Sequence, residues 1–132
     1  IYGSDISPVA VRASLANLDR AGLLPAVTLA SGDVLERAAP AESGVMVANP
    51  PYGERLSELD ELAAFYPLLG SALKRNFVGW NCYLLSADLR LPKLMRLAPS
   101  RKTPLYNGAI ECRLFEFKMV AGSNRPGQGS SE

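Results

Sequence analysis

The sequence predicts an α/β domain with a mainly parallel sheet that ends in an antiparallel hairpin. Three observations predict it. Short apolar segments alternate along the chain with helical patterns, which is the order of a parallel sheet crossed by helices. The segment Gly44-Val45-Met46-Val47-Ala48-Asn49 is continuously apolar up to its last residue, which predicts a strand buried on both faces. Near the end, Asn107-Gly108 separates two strand-like runs and marks a hairpin turn.

Residues Tyr2 to Asp5 read as the end of a short strand. Ser7-Pro8 follows, a helix N-cap with proline at the first helical position. Val11, Leu15 and Leu18 recur at helical spacing, and Gly22 with Pro25 supplies the stop, so the expected helix covers residues 8 to 21. Ala26 to Ala30 is a second strand and Gly44 to Asn49 a third. Leu59, Leu62, Phe65 or Tyr66, Leu69 and Leu73 mark a long helix. Pro67 lies inside it and, lacking a backbone donor, is expected to kink or divide it. Trp80 to Ala87 is a fourth strand and Leu89 to Leu97 a short helix. Leu105-Tyr106 and Ile110 to Val120 form the closing hairpin. Residues 1–121 thus read as a partial catalytic domain. Gly122 to Glu132, rich in Gly, Ser and Pro and nearly without apolar residues, is expected to be a disordered tail or linker.

Of the 132 residues, 48% are hydrophobic, enough for a core of ordinary size, and the net charge is +1. No apolar run reaches the roughly 18 to 20 residues needed to span a bilayer. No basic, then apolar, stretch opens the chain as a secretory signal would, so a cytoplasmic location with no membrane partner is expected. Cys82 and Cys112 lack metal-ligand spacing and read as reduced core residues. The chain has no histidine. That excludes Ser-His-Asp and Cys-His nucleophilic mechanisms and removes the commonest zinc ligand. Methyl transfer from a sulfonium needs no imidazole, because the leaving group is neutral and the protein's task is alignment.

In an open α/β sheet, ligands bind beyond the carboxyl ends of the strands, and here those ends are polar. The first closes on Asp5, whose carboxylate could accept both hydroxyls of an adenosyl ribose with Ile6 against the adenine. Asp at such a junction is also a common turn former, but Ser7 is the better cap. After the second strand, Gly32-Asp33 offers a carboxylate to the adenine amine, with Val34 beside the ring, or simply makes a turn.

The third strand closes on Asn49-Pro50-Pro51-Tyr52, and each residue has a task in methylating a planar amino group. The lone pair of such a nitrogen is delocalised into its base. If the Asn49 side-chain oxygen and the Pro50 carbonyl accept its two protons, the nitrogen is held pyramidal with the lone pair aimed at the methyl group. The prolines stiffen the loop, and Tyr52 offers a face on which a flipped-out base can stack.

Gly3-Ser4-Asp5-Ile6-Ser7, Gly32-Asp33 and Asn49-Pro50-Pro51-Tyr52-Gly53-Glu54-Arg55-Leu56, in that order, resemble the Rossmann-like class I methyltransferases. Gly53-Glu54-Arg55 and Leu105-Tyr106-Asn107-Gly108-Ala109-Ile110-Glu111-Cys112 are similar to the bacterial large-subunit ribosomal RNA guanine-N2-methyltransferases. The resemblance implies S-adenosyl-L-methionine as cofactor, Asp5 at its ribose, Asp33 at its adenine, Asn49 to Tyr52 at the target guanine, ribosomal RNA as partner and no metal. Members carry a first strand, central in the sheet, with a Gly-rich loop, and no such segment precedes Ile1. An N-terminally truncated fragment, inactive alone, is therefore expected. Its strands at residues 2 to 5 and 45 to 48 would pair abnormally or leave an edge for self-association.

Lys74, Arg75, Arg90, Lys93, Arg96, Arg101 and Lys102 form a basic run opposed in that interval only by Asp88. Arg90, Lys93 and Arg96, along one side of the short helix, are candidates for RNA phosphates or a solvated face. Methylation of DNA adenine or of a protein glutamine fits the same tetrapeptide. A non-catalytic RNA-binding scaffold, and more remotely a nicotinamide oxidoreductase, are the alternatives of other classes.

Overall fold

The computed structural model describes residues 1–51 and 56–121, and the expected tail at 122–132 lies outside them. The chain divides into two compact units, residues 1–40 and 41–132.

The first unit contains β1 (Tyr2–Asp5), α1 (Pro8–Arg20), β2 (Thr28–Ser31) and two short 3-10 turns, Leu24–Ala26 and Val34–Glu36. The helix starts where its cap dictates: Ser7 Oγ accepts the Ala10 N–H at 3.2 Å, with Pro8 at the first position. It stops at Gly22, whose φ of 71° is open to glycine at little cost. There the Leu23 N–H reaches Leu18 O and the Gly22 N–H reaches Asp19 O, satisfying carbonyls the helix leaves behind. β1 and β2 pair in parallel, with Tyr2 beside Thr28 and Asp5 beside Ser31. Every buried hydrophobic residue among those described lies between Leu62 and Met119. A unit as short as the first has too little interior to seclude a side chain by itself.

The second unit contains β3 (Gly44–Ala48), α2 (Leu56–Asn76), β4 (Trp80–Ser86), α3 (Leu91–Met95), β5 (Arg101–Asn107) and β6 (Ile110–Lys118). Its sheet has the order β3-β4-β6-β5. β3 and β4 are parallel, and β6 runs antiparallel to both β4 and β5. The expected parallel sheet with a terminal hairpin is present, with its described strands in two sheets. Alternate residues of β4, from Trp80 through Cys82 and Leu84 to Ser86, are buried. Phe115 and Phe117 of β6 join them, with Leu62, Tyr66, Leu69 and Leu73 of α2. Burial of β3 on both faces is not found: Val45 and Val47 are 62% and 73% exposed, so β3 alternates.

Pro67 does not divide α2, which runs as one helix from Leu56 to Asn76. Tyr66 before the proline and Leu69 and Leu73 after it are buried on one stripe. Their packing offsets the ~3 kcal/mol that an interior proline costs. The hairpin turn is Gly108-Ala109, one residue later than expected, because Asn107 pairs with Ile110. Gly108 carries the positive φ of 63° that a two-residue hairpin needs at its first central position. β5 starts at Arg101, earlier than the expected Leu105, and tolerates Pro104 because it is an edge strand. Cys82 and Cys112 are buried free thiols, and no described helix is long and apolar enough to cross a membrane.

Candidate active site

In the first unit, the parallel pairing of β1 and β2 brings two of the expected carboxylates to one end of a sheet. Asp5 lies beside Ser31, and the Gly32 N–H donates to Asp5 O at 3.0 Å, so Asp33 follows directly. Each carboxylate is held by backbone two residues further on. Asp5 Oδ1 accepts the Ser7 N–H at 2.8 Å, and Asp33 Oδ1 accepts the Leu35 N–H at 2.9 Å. The turn-forming role considered for Asp is therefore real at both positions, and Ser7 does not relieve Asp5 of it. These bonds fix the direction of each carboxylate and use one of its two oxygens. Ile6 is exposed and Val34 half-buried. A Cβ at Gly32 would meet no atom within 4 Å, so the backbone there borders open space. An adenosyl group presents two ribose hydroxyls and one amine as donors. Acceptor-only carboxylates beside small apolar surfaces fit that donor set.

In the second unit, β3 delivers Asn49, Pro50 and Pro51 past its carboxyl end. Asn49 and Pro51 are exposed and Pro50 is half-buried. Tyr52, the expected stacking residue, lies outside the described residues. The Pro51 carbonyl accepts a hydrogen bond from the Tyr66 phenol at 2.8 Å, and Tyr66, midway along α2, is fully buried. Burial pushes the Tyr66 phenol above its ordinary range, and a hydrogen bond with Ser86 pulls the other way. Ser86, at the end of β4, is the one buried polar residue among those described, and its Oγ accepts the Asp88 N–H at 3.0 Å. Asp88 in turn takes the Arg90 guanidinium at 2.8 Å. That hydrogen-bonded partner holds the Asp88 carboxyl below the usual carboxylate range, against partial desolvation. Arg90 also donates to Leu59 O on α2 at 3.3 Å.

The basic side expected for the short helix is not formed as one row. α3 covers only Leu91–Met95, so Arg90 is its N-cap and Arg96 its C-cap in the left-handed conformation, φ 58°. Arg90 is engaged by Asp88 and Leu59, while Lys93 and Arg96 are exposed. Sequence reasoning missed Tyr66, Ser86 and Asp88 as parts of a site. The available signal was Ser86, a polar residue at the carboxyl end of β4 in step with the apolar Trp80, Cys82 and Leu84.

The chain matches the model of the RMKL-like, methyltransferase domain family over residues 1–116. It is 38% identical over 124 residues to the ribosomal RNA large subunit methyltransferase K/L of Shewanella baltica (strain OS195), covering 94% of this chain and 18% of that protein. It is 40% identical over 123 residues to the protein of the same name from Methylococcus capsulatus (strain ATCC 33009 / NCIMB 11132 / Bath), covering 91% and 16%. The chain thus spans less than a fifth of the length of these relatives. Among solved structures it resembles SMU.472, described as a methyltransferase complexed with SAH, at 26% identity and a TM-score of 0.83, covering 92% of this chain and 31% of that one. The expected Rossmann-like class I methyltransferase fold is the fold found.

Proposed function

The chain belongs to the RMKL-like, methyltransferase domain family, and on that footing we propose that it carries the acceptor site of an RNA guanine-N2-methyltransferase. The substrate is large-subunit ribosomal RNA and the methyl donor is S-adenosyl-L-methionine. The observation that carries the proposal is Asn49 exposed at the carboxyl end of β3, followed by a proline loop whose carbonyl is anchored on a buried phenol. When bound, S-adenosyl-L-methionine supplies an electrophilic methyl group on a sulfonium that leaves as a neutral thioether. Asp5 would accept the ribose hydroxyls and Asp33 the adenine amine, with Ile6, Gly32 and Val34 beside them.

Asn49 Oδ1 and the Pro50 carbonyl would accept the two protons of the guanine amine. Conjugation with the ring is thereby weakened and the lone pair directed along the line of transfer. Transfer would form the N–C bond at the expense of the S–C bond, and the nitrogen held by Asn49 and Pro50 would then release one proton to solvent. Tyr52 would stack on the flipped base. Ribosomal RNA as substrate sets the reaction in the cytoplasm.

The test is Asn49→Ala in the full-length protein, with transfer of labelled methyl groups to ribosomal RNA and mass analysis of the modified nucleoside. Loss of one such pre-oriented transition-state group lowers turnover about 100- to 1000-fold, and cofactor affinity should hold. Retained turnover, or a methylated adenine as product, would remove the assignment.

A further inference from the structure

We propose that Tyr66 is a positioning residue for methyl transfer: through its bond to the Pro51 carbonyl, the buried phenol sets the conformation of the loop that presents Asn49 and Pro50. The inference rests on the methyl-transfer reading above. Pro50 and Pro51 each have φ fixed near −65° by the ring. The soft torsions of the loop are therefore ψ at Pro50 and Pro51, and the position of the Pro51 carbonyl depends on both. The Tyr66 bond to that carbonyl, 2.8 Å long, pins one end of the loop while β3 holds the other.

The anchor itself is stiff. Tyr66 is completely buried on α2, between Leu62 and Leu69 on the same stripe. Behind the phenol stands Ser86, also completely buried. Ser86 Oγ accepts the Asp88 N–H, Asp88 pairs with Arg90, and Arg90 returns to Leu59 O near the start of α2. The loop after β3 is thus braced against α2, the end of β4 and the approach to α3. The phenol keeps its proton through the neutral range, since burial raises it, and so stays a donor to the carbonyl.

A purely structural tyrosine would leave a different trace from a positioning one. Tyr66→Phe keeps the ring in the core and removes only the hydroxyl. In the full-length protein, kcat should fall by about tenfold or more, toward the ~100-fold that misplacement by about 1 Å can cost. The KM for RNA and the affinity for S-adenosylmethionine should stay within about twofold. A kcat within twofold of the parent, with Asn49→Ala lowered about 100- to 1000-fold in the same assay, overturns the role of Tyr66 and leaves the reaction assigned. Parent-like turnover by Asn49→Ala overturns the reaction and this inference with it. Should the Phe variant not fold, Ser86→Ala removes the hydroxyl behind the phenol and leaves the Tyr66 ring in place. Its kcat should fall in the same way with the KM for RNA unchanged, and a kcat within twofold of the parent overturns the inference.

Discussion

Gly70→Ala tests how tightly the support beneath the candidate site is packed, and its expected sign is opposite to helix propensity. In the interior of an exposed helix, replacing Gly by Ala stabilises by about 0.5–1 kcal/mol. Gly70 lies inside α2, but a Cβ there would fall on the carbonyl oxygen of Met95, with the Met95 carbonyl carbon and Cα each 2.9 Å away. Those atoms are backbone, so no rotamer change relieves the overlap. Ordinary carbon contacts are about 3.5–4.0 Å, and α2 and α3 must therefore separate by roughly 1 Å. Leu69, Leu73, Leu91, Met95 and Leu97 around the contact are all buried. Overpacking of this kind costs about 1–3 kcal/mol, leaving after the propensity gain a net destabilisation of about 1 kcal/mol at mid-range and up to about 2.5 kcal/mol. Amide hydrogen exchange in the full-length protein, followed by mass spectrometry of peptides covering residues 66–76 and 91–97, reads it directly. Opening should become about 5- to 30-fold more frequent. Slower or unchanged exchange would mean that α2 and α3 yield freely, and the reasoning from close approach would be wrong.

Asp88 has its carboxyl lowered chiefly by the Arg90 hydrogen bond, so its stabilising contribution is complete above the ordinary value of 3.8 and fades as pH falls through the lowered one. Asp88→Asn should flatten the acid limb of a thermal-stability profile below about pH 4; an acid limb identical to the parent's would show that the pair contributes nothing measurable. Lys93 and Arg96, both exposed, remain candidates for phosphate contact. If each meets one phosphate, replacing both by Gln should lower the slope of log affinity for RNA against log salt by about 1.4–1.8, and an unchanged slope assigns them to a solvated face.

The local parts of the fold were legible because their causes are local. Ser7-Pro8 and Gly22 bound α1 within one residue, since caps depend on a few adjacent side chains. The first strand ends at Asp5 as expected, and the third ends at Ala48, one residue before the expected Asn49 and where apolar character stops. The hairpin shifted by one residue because Asn107-Gly108 and Gly108-Ala109 each offer a residue suited to positive φ; cross-strand pairing, such as Leu105 with buried Cys112, accompanies the register found. The first part of β5 was hidden because an exposed edge strand with Arg101, Lys102 and Pro104 has no apolar period to reveal it. Regular spacing of Arg90, Lys93 and Arg96 suggested one charged row, whereas Asp88, two residues before Arg90, takes that guanidinium out of it. Tyr66 was visible as part of a helical stripe but its task was not, because the bond to Pro51 is a tertiary contact that sequence spacing does not encode.

The two sets of candidate side chains are held by different means, and this separates how they respond to change. Asp5 and Asp33 are oriented by N–H groups two residues away, bonds that survive wherever the strand-to-turn backbone survives. The Asn49-Pro50-Pro51 loop is oriented by Tyr66 from the middle of α2, and α2 is itself seated on α3 at Gly70. Gly70 lies one helical turn beyond Tyr66, so a displacement of α2 at that contact moves the phenol as well. Perturbing the α2–α3 packing should therefore lower the rate of transfer before it lowers cofactor affinity. An enzyme organised in this way loses alignment while it still binds, which is why kcat rather than affinity is the quantity by which Gly70→Ala and Tyr66→Phe should resemble each other.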